Sequence, residues 1–228
     1  MFNKIIKLVS GAGNGFDEAC LMTASNMLIG KGECGDKATC QCRLLQEFII
    51  PTNDKMPDDL RCKFYGPLVY EILGTLNESP DVLRRRGFAF ADWAVREIAT
   101  IALSADGLQV EADRLKDLPE ITDSESARAA DAAADAAADA AYVADRSAAC
   151  AARSAACAAR SAERDSCLSV ASDAASAVNY TADVVFPSNA VWEKCPEIIL
   201  RVAAIGDRRP VETVMTGDEL CMQLGTLN

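Results

Sequence analysis

Residues 146–162 read RSAACAARSAACAARSA, a unit RSAACAA written twice and begun a third time. Alanine is the strongest helix former, so the stretch predicts helix. It lies inside a longer run, from Thr122 to about Ala182, that contains neither Pro nor Gly. Thr122 and Glu125 fit a capping box at the start of that run. Some 55 helical residues at ~1.5 Å each would span roughly 80 Å. A rod of that length outgrows a compact domain, so the segment is expected to bend, to fold back as a hairpin or to project. Ser172 and Asp173 read as its weakest point.

A helical wheel gives the segment two faces. At about 100° per residue, Arg128, Asp131, Asp135, Asp139, Arg146, Arg153, Arg160 and Arg164 fall within roughly 100° of one another. Cys150 and Cys157 border this ridge. The opposite face carries Ala141, Ala148, Ala152, Ala155 and Ala159. The ridge is acidic in its first half and basic in its second, which suits the helix macrodipole. Alanine lets a second backbone approach closely, so that face predicts packing on the protein's own helices or on a second copy. The ridge, with Asp131, Asp135, Asp139, Arg146, Arg153, Arg160 and Arg164, is the candidate interaction face.

Working outward, the remaining segments also read as helices. ACLMTASNMLI follows a possible cap at Asp17 and meets a stop at Gly30. TCQCRLLQEFII places Leu44, Leu45, Phe48 and Ile49 on one face, and Pro51 is expected to end that helix. Short helices broken near Gly66-Pro67 come next. A strong helix follows from Pro80 to about Ala105, then a short one before Pro119. A last helix is expected from Pro196 to Ile205. The reading is all-α: a bundle of short and medium helices with one long Ala-rich helix. Its parts are an arm and glycine loop at 1–15, a helical core at 16–120, the Ala-rich helix at 121–186, and a C-terminal helix and tail at 187–228.

Composition narrows the chemistry. The chain has 228 residues, a net charge of -11 and no histidine. The missing imidazole excludes Ser-His and Cys-His dyads, HExxH metal sites and histidine pH switches. The acidity argues against direct nucleic-acid binding through phosphate neutralisation. It leaves room for a basic protein partner or for mimicry of a polyanion. No segment approaches the roughly 20 apolar residues of a membrane span. No secretory leader is visible, so the ten cysteines are expected as free thiols in a cytoplasmic protein.

Several constellations carry possible chemistry. Cys34, Cys40 and Cys42 cluster locally, but C-x5-C-x-C lacks the usual zinc-knuckle spacing, so metal is a weak reading. Cys150 and Cys157 sit near arginines that would favour thiolate, yet a heptad separates them by about 10 Å along the axis, too far to bridge. GAGNG at 11–15 fails the dinucleotide fingerprint at Phe16. Asp92 and Arg96 are one helical turn apart and can pair. A pocket between Asp17, Cys20, Asn53, Asp54, Asp92, Trp93 and Arg96 could take a small ligand, with Arg96 gripping a carboxylate or phosphate.

FDEACLMTAS, GDKATCQC, Asn53-Asp54, GPLVYEILGT, FADWAVREIATIAL and RLKDLPEI occur in an order that resembles a widespread bacterial and phage protein family. The family ends in an Ala-rich segment and is related to Imm-5-like immunity proteins. The matching positions are Asp17, Cys20, Met22, Cys40, Asn53, Asp54, Asp92, Trp93 and Arg96. Relatives carry Asp-His-Pro where this chain has Asp36-Lys37-Ala38, so any role for that histidine is lost here. The resemblance implies a shared fold and little chemistry. The leading expectation is a non-enzymatic helical binding protein of the immunity or anti-defence type. It would need no cofactor and would act on a protein partner, or self-associate, through the Ala-rich helix. The alternatives are a small-ligand pocket or enzyme using Asp, Arg and Cys, and an acidic nucleic-acid mimic.

Overall fold

Large aliphatic and aromatic side chains collect at the two ends of the sequence and alanine in its middle, and the chain folds accordingly. The computed structural model describes residues 7–14, 18–31, 35, 37–76, 79–142, 146–214 and 219. The fold is all-α, as the periodicity predicts. It divides into two units: Met1–Glu78 with Cys195–Asn228, and Ser79–Lys194. The expected division at residues 15, 120 and 186 is thereby replaced. The two ends of the chain join in one unit, and the Pro80 helix groups with the alanine segment.

In the first unit, β1 (Lys7–Leu8) pairs in parallel with β2 (Glu18–Ala19). Helix α1 (Leu21–Leu28) is buried along its whole length. Its N-cap is Cys20, whose Sγ accepts from the Thr23 amide at 3.3 Å. Asp17, the expected cap, lies outside the described residues. Gly30 ends the helix at φ +74°, a conformation that glycine adopts without a Cβ penalty. Helix α2 (Arg43–Lys55) buries Leu44, Leu45, Phe48 and Ile49, the face read from the sequence.

Pro51 does not end α2; it lies inside it. A proline here leaves only Glu47 O without its amide donor, and the rest of the helix holds. Thr52 Oγ1 donates to Phe48 O at 2.8 Å. The buried Arg61 of α3 (Asp58–Tyr65) donates to Asn53 O and Met56 O at the C-terminal end. After Gly66-Pro67 comes α4 (Leu68–Glu71). Gly74 then turns with φ +71°, where an added Cβ would meet Arg209 O at 2.2 Å.

The second unit opens with α5 (Pro80–Trp93), capped by Ser79. A π-helical turn (Ala94–Ile98) leads directly into α6 (Ala99–Ala105), and α7 (Gln109–Lys116) follows. The alanine-rich segment is three helices: α8 (Ser124–Ala141), α9 (Arg146–Glu163) and α10 (Cys167–Val185). Of the courses expected for the long segment it takes the fold-back, as helices turned on one another. The capping box is made by Asp123 and Ser126, not by Thr122 and Glu125. The break after α9 falls at Arg164–Ser166, and Ser172 and Asp173 lie inside α10.

That break uses no glycine. Asp165 adopts φ +56°, and the Ser166 amide reaches back to Ser161 O at 2.8 Å, the long-range bond of a Schellman turn. Aspartate tolerates this left-handed geometry better than most residues. Its carboxylate is also gripped by Arg84, with Nε to Oδ1 at 2.8 Å. Helix α9, the repeat itself, packs against α8, α10, α5 and α6. It buries Ala148, Ala149, Ala151, Ala152, Ala155, Ala156, Ala158, Ala159 and Ala162. Each alanine removes little apolar area, so the contact relies on close backbone approach over many turns. Helix α11 (Ala190–Ala203) runs through Pro196 and starts earlier than the predicted 196.

Candidate functional site

The charged ridge of the repeat pairs with itself along the surface of its own hairpin. Helices α8 and α9 run antiparallel, so the acidic first half lies across from the basic second half. Arg160 donates to Asp131 at 2.8 Å and to Asp135 at 2.6 Å. Arg153 donates to Asp139 at 2.6 Å, and Arg128 pairs with Glu163 at 2.8 Å. Neither Arg146 nor Arg164 has an ion-pair partner among the described residues. The pairing rests on chain reversal, which a one-rod wheel cannot display.

The Cys157 thiol beside the ridge is not primed. Burial raises the Cys157 pKa, the nearby Asp173 raises it further, and Arg160 only partly offsets them. The expected arginine activation therefore fails at Cys157. Elsewhere thiols serve as hydrogen-bond groups. Cys62 Sγ accepts from the Leu8 amide at 3.3 Å. Burial pushes Cys195 up to about 12, beside the Tyr65 hydroxyl, which itself shares a 2.6 Å hydrogen bond with Thr52. Among the described residues no three Cys, Asp or Glu groups gather as a metal site. Cys34 lies outside those residues, while Cys40 is half-buried and Cys42 buried.

The seven candidate pocket residues divide between the units. In the first, Cys20, Asn53 and Asp54 border one gap with Leu21, Met22 and Ile49 that has no room for water. Asn53 donates to Val9 O at 3.0 Å, and Asp54 Oδ1 accepts from the Gly11 amide at 2.7 Å. These two residues moor the glycine loop. In the second unit, Trp93 is a core residue, 1% exposed. Asp92 Oδ1 accepts from Arg96 at 3.0 Å and from the Ile121 amide at 3.1 Å, tying the approach to α8.

Arg96 leads to a groove of the second unit. The π turn widens the backbone and displaces residues from their α-helical positions, a distortion frequent at functional sites. Its loosened carbonyls are taken by hydroxyls: Thr100 donates to Glu97 O at 2.7 Å and Thr181 to Ile98 O at 3.4 Å. The turn places Arg96 and Glu97 on a groove of about 530 Å³, also lined by Lys116, Asp113 and Lys194. Lys194 pairs with Glu97 at 3.2 Å, and Gln109 donates to Asp113 at 2.7 Å. Lys116 has no ion-pair partner among the described residues. Arg96 uses one terminal nitrogen on Asp92, while its Nε is buried with no hydrogen-bond partner among the described residues. Sequence reasoning found Arg96 by its spacing from Asp92. It missed Lys116 and Lys194, which come from other helices and have no local signal. No protein-family model, curated protein or solved structure matches the chain.

Proposed function

We propose that the chain is a non-enzymatic binding protein and that it takes an acidic group, a carboxylate or a phosphate, in the groove over the π turn. The observation that carries this reading is the unpartnered Nε of Arg96 in a groove that also holds Lys116. A guanidinium held at one end by Asp92 is oriented before a ligand arrives. Bidentate arginine contacts to carboxylate and phosphate are among the stronger polar contacts. The chain has no histidine, and the two carboxylates on the groove, Glu97 and Asp113, are engaged by Lys194 and Gln109, which favours binding over turnover. An immunity or anti-defence role fits this reading if the acidic group belongs to a partner protein.

Calorimetric titration tests it, with succinate, inorganic phosphate and a short Glu-rich peptide as ligands for the wild type and for Arg96→Gln. Saturable binding that falls at least ten-fold in Arg96→Gln is expected. Tight binding of the peptide alone would assign the site to a protein partner, and binding of the small anions to a metabolite. No binding of any of the three at millimolar concentration would overturn the proposal.

A further inference from the structure

Two glutamines at the start of α2 stand in contrast. Gln46 uses its amide fully: Oε1 accepts from the Ala38 amide at 3.2 Å, and Nε2 donates to Ala38 O at 2.8 Å and to Gln41 O at 3.1 Å. Gln41 is 1% exposed, yet neither its Oε1 nor its Nε2 has a hydrogen-bond partner among the described residues. A buried amide left unsatisfied costs stability at both atoms, and such a group calls for an explanation.

The backbone around Gln41 is fixed on several sides. Besides the Gln46 clamp, the Cys42 amide donates to Thr75 Oγ1 at 3.1 Å. The Leu76 amide donates to Cys40 O at 3.3 Å. A fixed backbone with an uncommitted side chain is the opposite of a packing role, in which the side chain is the fixed part. No hydrogen bond opposes a rotamer change of the Gln41 amide.

Gln41 lines a groove of about 360 Å³. Ile50 and Leu76 give it apolar sides, and Lys37 and Arg43 give it positive charge. Lys31 adds a third cation beside it through a 2.7 Å bond to Thr39. The groove also meets the N-terminus of α2, whose N-cap Cys42 makes no side-chain capping bond. Uncapped first-turn amides favour an anion. Against these stands Glu47, loosely paired with Arg43 at 3.9 Å. Among the described residues of a chain of net charge -11, these three cations face one carboxylate there.

A carboxamide presents one donor face and one acceptor face in a plane. Its complement is a planar edge carrying an acceptor beside a donor. The adenine N7/N6 edge is such an edge, and glutamine reads it bidentately, whereas guanine offers two acceptors there. We infer that the groove at the start of α2 binds a small anion with a planar donor–acceptor edge, of the adenine mononucleotide class. The base lies between Ile50 and Leu76 against the Gln41 amide. The phosphate lies toward Lys37, Arg43 and the α2 N-terminus. The inference is independent of the Arg96 groove, which belongs to the other unit.

Calorimetric titration of the full chain with AMP, GMP and inorganic phosphate tests it. AMP is expected to bind saturably, with GMP and phosphate each roughly ten-fold weaker or more. Gln41→Leu is expected to lose the AMP preference, and Lys37→Gln with Arg43→Gln to weaken both nucleotides alike. The wild-type comparison decides the matter even if a variant fails to fold. Equal binding of AMP and GMP, binding of phosphate as tight as that of AMP, or no binding of AMP at millimolar concentration would each overturn it.

Discussion

The two units reach buried cores by opposite means. The first uses large side chains, such as Phe48, Leu44 and Tyr65, and specific bonds from side chains to loop carbonyls and amides. The second uses the smallest side chain that still favours helix, repeated along three helices, with an ion-pair ladder on one edge. In the first, each residue is large and hard to replace. In the second, stability is spread over many small contacts, and what matters is that nothing larger intrudes. The same amount of burial can therefore be lost by removing atoms from one unit or by adding them to the other.

The largest effect expected is in the first unit. Phe48→Ala removes a ring that is 0% exposed and should cost about 3–5 kcal/mol, read from the urea midpoint. The reverse change probes the second unit. Ala155→Leu inserts methylenes where α9 is 0% exposed and should cost about 3 kcal/mol by overpacking. If Ala155→Leu were neutral, the helices would not be as closely apposed as the buried alanines imply. Arg160→Ala breaks both its contacts on α8 and should cost about 1 kcal/mol, less at high salt. Persistence of the full cost in 1 M salt would show that packing of the arginine stem, not charge, is what was lost.

The smallest effect is in the pH dependence. Burial raises the Asp173 carboxyl above its ordinary range, and the Ser161 hydroxyl and Arg160 only partly oppose it. Its native pKa exceeds its unfolded one, so its ionisation in the native state subtracts stability as pH rises through that raised value. Asp173→Asn should therefore raise the melting temperature slightly at pH 7 and leave it unchanged at pH 3. A gain of equal size at both pH values would point to packing rather than ionisation.

Much of the architecture was legible in local pattern. The alanine run, the Pro80 helix, the Gly66-Pro67 break and the apolar face of α2 all follow from spacing and propensity. The failures are equally specific. Pro51 sits inside α2 because it removes one amide donor only, that to Glu47 O, while the buried face of Leu44, Leu45, Phe48 and Ile49 holds the helix in place. The turn at Asp165 is hidden because aspartate supplies a geometry usually assigned to glycine, supported by Arg84 from far along the chain. Two of the seven proposed pocket residues moor the glycine loop, since Asn53 donates to Val9 O and Asp54 accepts from the Gly11 amide. Thiols as caps and acceptors had no sequence signal, because cysteine carries no strong positional preference of that kind.

The sequence by itself determined that this chain is helical, that its middle packs through alanine, and that histidine chemistry is excluded. Those properties depend on residue type and on a period of 3.6, and both are local. Tertiary structure alone decided where the arginine ridge goes, which polar groups are spent and which are left over. Arg160 meets Asp131 only because the chain reverses between them. Gln41 stands out only because Gln46 beside it is fully bonded. Whether a polar group has a partner is fixed by neighbours distant in sequence, and no periodicity encodes it.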